Sequence, residues 1–129
     1  MGFQLVLKYG LWFSAANEVK HKELTNLPQV KNYILFLSPE VIELKKFPVQ
    51  VGRSSENNLI INNGAASRKH ALITCKGWFK KQYFLVDVGS SEGTQIQRGK
   101  NKILVNSAPV ELKKGDLILI GLCGLEVLI

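Results

Sequence analysis

From residue 33 onward, short β-branched or aromatic runs alternate with turn-forming residues, and this rhythm constrains the fold more than any other feature. The runs are YILFL (33–37), FPVQVG (47–52), LII (59–61), HALITC (70–75), QYFLVDV (82–88), KILV (102–105) and DLILIGL (116–122). Each has strand composition. Between them stand Ser54 to Asn58, Asn62-Asn63-Gly64, Lys76-Gly77, Gly89 to Gly93, Gly99 and Lys114-Gly115-Asp116, all residues that reverse a chain. No ten-residue amphipathic helix separates the strands, which disfavours a doubly wound α/β fold. An all-β antiparallel sandwich or barrel is expected. The 129 residues suffice for one domain with a real core.

Two stretches depart from the rhythm. Ser14 is a capping residue followed by good helix formers, so residues 15–24 read as a short helix outside the sandwich. Ser38-Pro39-Glu40 also suits a helix start, but Val41, Ile42 and Phe47-Pro48 fit a hairpin as well, and the hairpin is preferred. Residues 1–30 read as an N-terminal extension whose structure is left open. Its Phe3, Leu5, Leu7, Trp12 and Phe13 need cover, either as an added strand pair or against a partner.

The apolar opening FQLVLKYGLWF is interrupted by Lys8 and falls short of the roughly 20 residues a membrane helix needs. It lacks the basic start of a signal peptide, and Val6 stands where a myristoylation signal wants Ser or Thr. The chain reads as intracellular, cytoplasmic or nuclear. Cys75 and Cys123 sit far apart within apolar runs and suit reduced, buried thiols.

The net charge of +7 favours an anionic partner without naming it. Catalysis is disfavoured. Ser67 and His70, three apart at the entrance to a strand, would project to opposite sides, and Asp87 beside them makes no triad without a Gly-x-Ser-x-Gly elbow. Two histidines and two cysteines share no metal-ligand spacing, and no Gly-rich nucleotide loop occurs. No catalytic residue, metal or cofactor is expected. Trp78-Phe79-Lys80-Lys81 has the look of an aromatic-basic nucleic-acid stripe, but at a hairpin tip it reads more simply as an exposed turn with partly buried rings.

What remains lies on turns: Gly52-Arg53, Ser67-Arg68-Lys69-His70, and Asp87-Val88-Gly89-Ser90-Ser91-Glu92-Gly93-Thr94. Together with KKGDLILIG near the end, their order and spacing resemble the forkhead-associated (FHA) domain, over about residues 31–129. That resemblance implies a β-sandwich of about eleven strands whose loops at one end bind phosphothreonine segments. The chain would then mediate phosphorylation-dependent association as an adaptor or signalling module, with a threonine-phosphorylated protein or peptide as partner. By the same resemblance, Arg53 and Ser67 match phosphate contacts, Arg68 matches a neighbour touching phosphate or peptide, and Ser91 matches a further phosphate-side group. Gly52, His70, Gly93 and Thr94 match residues that hold the loops in shape. A guanidinium offers a planar fork of donors to phosphate oxygens, and an adjacent hydroxyl adds a charge-assisted bond.

Glu92 departs from the pattern. The family most often has Asn before Gly-Thr, and a carboxylate cannot donate as an amide does and repels a dianionic phosphate. Phosphopeptide binding would be weakened or re-specified; Lys69, Lys100 or Lys102 could compensate electrostatically, although solvated surface lysines are the simpler reading. The alternative is a degenerate scaffold for phosphate-independent association or self-association. Nucleic-acid binding through the net charge is the weakest of these readings.

Overall fold

The computed structural model describes residues 3–9, 12–14, 40–61, 64–121 and 123–129. Its strands form two six-stranded sheets. One runs β3 (Glu40–Leu44), β1 (Phe3–Tyr9), β12 (Cys123–Val127), β11 (Leu117–Ile120), β8 (Thr94–Arg98) and β9 (Asn101–Val105). The other runs β10 (Val110–Glu111), β7 (Gln82–Asp87), β6 (Ala71–Lys76), β4 (Val49–Gly52), β5 (Leu59–Ile61) and β2 (Trp12–Ser14). Neighbours pair antiparallel except β4 and β5, which run parallel with Val51 beside Leu59.

Successive side chains on a strand point to opposite faces, so each run offers alternate residues to the interior. Ala71 and Ile73 of β6 and Tyr83 and Leu85 of β7 meet Ile96, Ile118, Ile120, Leu125 and Val127 of the other sheet in one core. Burial of each large aliphatic side chain stabilises the sandwich by about 1.5–3 kcal/mol. Phe3 and Tyr83 stack across the sheets with ring centroids 4.5 Å apart, and Phe47 packs on both. Cys123 is buried, which pushes its thiol up to about 12, and Cys75 is partly buried; both are free.

The runs at 47–52, 59–61, 70–75, 82–88, 102–105 and 116–122 all contain strands, as their composition predicts. The run at 33–37 and the short helix over residues 15–24 lie outside the described residues. From the N-terminal segment, β1 lies between β3 and β12, and β2 pairs with β5. Phe3 and Leu5 are core residues.

Two expectations need correction. The segment after Ser38 is not a hairpin: β3 pairs with β1, whereas β4 pairs with β5 and β6 in the opposite sheet. Turn chemistry near Phe47-Pro48 marks a change of direction, but the partner of β3 is supplied from the distant N-terminal segment, which no local signal announces. Trp78 and Phe79 are not partly buried; they are 91% and 90% exposed. The β6–β7 ladder ends at Lys76 and Gln82, and Tyr83 is the ring nearest the tip that reaches the core, so the two rings lie beyond it.

Register gathers three loops at one end. Val51 pairs with Ala71, and Ala71 with Asp87, so the end of β4, the start of β6 and the end of β7 stand side by side. The opposite sheet joins them where Thr94, first in β8, donates its hydroxyl to Asp87.

Candidate functional site

Arg53 follows the last residue of β4, and its backbone N–H donates to the Ser67 carbonyl at 2.9 Å. Its Nε donates to the Ala66 carbonyl at 3.0 Å. That bond fixes the direction of an exposed guanidinium and leaves both terminal nitrogens without an acceptor among the described residues. The Arg68 carbonyl is a hub, accepting Ser54 N–H at 3.2 Å and Asn57 Nδ2 at 2.7 Å. The Arg68 side chain is exposed, as are Lys69 and Glu92. The loop after β4 therefore lies flat against the segment that precedes β6. Gly52 permits this approach: a Cβ there would lie 2.3 Å from the Arg68 carbonyl oxygen.

His70 joins this segment to the loop after β7. Its Nδ1 accepts the Ser67 N–H at 3.0 Å, so its Nε2 carries the proton and donates to the Gly93 carbonyl at 2.9 Å. The ring is fully buried, and both nitrogens are satisfied. It has no free lone pair with which to take a proton from Ser67, whose hydroxyl instead faces Ser91. Ser67 Oγ accepts Ser91 N–H at 2.9 Å and lies 3.2 Å from Ser91 Oγ.

Asp87 shapes that second loop. One carboxylate oxygen accepts the N–H groups of Gly89 and Ser90 at 2.7 and 2.8 Å; the other accepts the hydroxyls of Ser90 and Thr94 at 2.5 and 2.7 Å. Burial by itself would raise this carboxyl, but the hydroxyls of Ser90 and Thr94 and the two N–H groups outweigh it and hold Asp87 below the usual carboxylate range. Ser90 Oγ also accepts Gly93 N–H at 2.9 Å, and Gly93 takes a left-handed φ of 88°. Thr94 is fully buried.

Arg53, Ser67, Arg68, Ser91 and Glu92 thus lie on loops that meet, with Gly52, His70, Gly93 and Thr94 beneath them. Lys100 and Lys102 lie on the β8–β9 turn and β9, and no bond ties them to these loops among the described residues. Sequence reasoning missed Asn57 and Ser90. Asn57 is 3% exposed and joins Ser54 to Arg68 through one amide nitrogen. A turn-rich SSENN segment was the only signal, and it does not separate Asn57 from Asn58, whose Oδ1 accepts Gln50 N–H instead. Among the described residues no cluster of His, Cys, Asp or Glu is arranged to hold a metal. A planar cation and two hydroxyls on adjoining loops of fixed backbone are suited to bind a tetrahedral oxyanion.

Residues 49–121 match the sequence profile of the family described as FHA domain. The chain is 32% identical over 59 residues to the FHA domain-containing protein FhaB of Mycobacterium tuberculosis, covering 46% of this chain and 36% of that protein. To FhaB of Mycolicibacterium smegmatis it is 32% identical over 76 residues, covering 57% and 47%. The chain therefore aligns with less than half the length of these curated relatives.

Solved structures agree on the fold. One comes from a structural and functional analysis of phosphothreonine-dependent FHA domain interactions, with TM-score 0.65, 18% identity, and coverage of 100% of this chain and 97% of that one. The MEK1 FHA domain in complex with a phosphothreonine peptide of HOP1 has TM-score 0.57 and 25% identity, covering 70% of this chain and 88% of that one.

Proposed function

The chain belongs to the forkhead-associated (FHA) domain family, and on that premise we propose that it is a non-catalytic module that binds phosphothreonine in partner proteins. The observation that carries this reading is the Arg53 guanidinium, aimed by its Nε bond to Ala66 and held on the same loop assembly as the Ser67 and Ser91 hydroxyls. Arg53 supplies the planar fork for phosphate oxygens, and Ser67 adds a hydroxyl bond to the same group. Ser91 lines the site beside Ser67. Arg68 and Lys69 add positive charge at its rim, and Glu92 adds a negative charge there. Loops already fixed by His70, Asp87 and Asn57 need little ordering when a peptide arrives, which favours affinity.

The partner is a threonine-phosphorylated protein, and we place the encounter inside the cell, where kinases act and where Cys75 and Cys123 stay reduced. A library of phosphothreonine peptides screened against wild type and Arg53→Ala tests the reading. Selective retention by wild type alone supports it; equal retention of phosphorylated and unphosphorylated peptides defeats it. Glu92 is the observation that favours a second reading, a scaffold for phosphate-independent association or self-association. Binding insensitive to both phosphate and Arg53 is the outcome that reading requires.

A further inference from the structure

The β6–β7 hairpin carries the peptide loops at one end only. A six-residue strand at about 3.3 Å per residue puts the other end roughly 20 Å away. There Trp78 and Phe79 stand almost entirely in solvent. They touch each other edge to face, with ring centroids 6.4 Å apart. The turn that presents them is tight: Gly77 has φ 90°, and a Cβ on it would lie 2.3 Å from the Lys80 carbonyl oxygen.

Lys76, Lys80 and Lys81 flank the rings and are exposed. Lys76 Nζ lies 5.4 Å from the centroid of the Phe84 ring, behind the tip. Glu111, the acidic residue on the neighbouring strand, is already engaged by Gln82 and Lys113.

Two adjacent rings left this bare on a tight turn mark an interaction surface. Its chemistry has two layers: apolar rings at the apex, ammonium groups set back from them. An anionic bilayer has the complementary layers, with negatively charged headgroups over an acyl boundary in which Trp and Phe reside. The centre of a protein interface is depleted in Lys, whereas Lys with a flexible stem is favoured where rings enter a headgroup region.

We infer that the Trp78–Phe79 tip docks the protein on an anionic membrane surface, with the phosphopeptide loops held at the far end, open to solvent. A partner captured through Arg53 is thereby held at the membrane.

The test is co-sedimentation of the full chain with vesicles of phosphatidylcholine alone and of phosphatidylcholine with phosphatidylserine. Sedimentation with the phosphatidylserine vesicles, weakened by salt, is expected. The combined Trp78→Ser and Phe79→Ser variant is expected to lose about tenfold or more in partitioning for each ring removed. Lys80→Glu with Lys81→Glu removes the preference for phosphatidylserine. The difference in emission between wild type and Trp78→Phe shifts to the blue on vesicle addition.

Arg53→Ala keeps full vesicle binding, which separates this result from the fate of the phosphopeptide reading. All these side chains are exposed, so each variant keeps the wild-type melting temperature. No sedimentation with either vesicle, or sedimentation unchanged without the two rings, overturns the inference. Tip-dependent self-association by light scattering, or tip-dependent retention on RNA, without vesicle binding overturns it equally.

Discussion

Ser67 accepts the backbone N–H of Ser91 on its hydroxyl at 2.9 Å, a contact across 24 residues of chain that stitches the segment before β6 to the loop after β7. The side chain proposed to meet a phosphate is therefore also the one that sets the spacing of the loops around it. Substitutions at this end of the sandwich should divide by whether they remove a phosphate donor or loosen the loop assembly.

Gly52→Ala forces apart the two segments that meet at the Arg68 carbonyl, because the new Cβ would lie 2.3 Å from that oxygen. Chemical denaturation is expected to show a loss of about 1–3 kcal/mol, the usual range for overpacking. Phosphopeptide affinity should fall as well, since Arg53 and Arg68 move with those segments.

His70→Ala leaves the Ser67 N–H and the Gly93 carbonyl without their buried partner. Each unsatisfied group costs about 1–3 kcal/mol. The variant is expected to unfold at lower denaturant, with faster amide hydrogen exchange at Ser67.

Asp87 should give stability an acid limb. Its carboxyl lies below its ordinary value in the folded protein, so its contribution is complete above the unfolded value near 4 and disappears as pH falls through the lower folded one. Asp87→Asn is expected to be less stable than wild type at neutral pH. In a series of melting temperatures the gap should narrow below about pH 4. A gap that stays constant down through the acid range contradicts the assignment.

Glu92→Asn removes a negative charge beside the proposed phosphate site and supplies an amide donor. A unit charge at about 4 Å in water is worth about 1 kcal/mol, so the dissociation constant for a phosphothreonine peptide is expected to tighten about fivefold. Calorimetric titration of the two proteins with one peptide reads this directly.

Much of this was legible in the chain because it is local. Strand runs bounded by Gly and Asn turns announce a sandwich, and Gly52-Arg53, Ser67 to His70 and Asp87 to Thr94 announce the loops. What was not legible depends on partners far away in sequence. The sheet change between β3 and β4 follows from pairing with β1. The role of Asn57 follows from the Arg68 carbonyl reaching it across 11 residues. The exposure of Trp78 and Phe79 follows from where the core ends at Tyr83, which periodicity at a turn does not report.

The central claim is that Arg53 holds a phosphate. Its most direct test is titration of wild type and Arg53→Ala with a library-selected phosphothreonine peptide and its unphosphorylated twin. Wild type is expected to prefer the phosphorylated peptide, and Arg53→Ala to lose about tenfold or more in affinity for it while treating the unphosphorylated twin as wild type does. Equal affinity of wild type for both peptides, or a preference that survives in Arg53→Ala, contradicts the account.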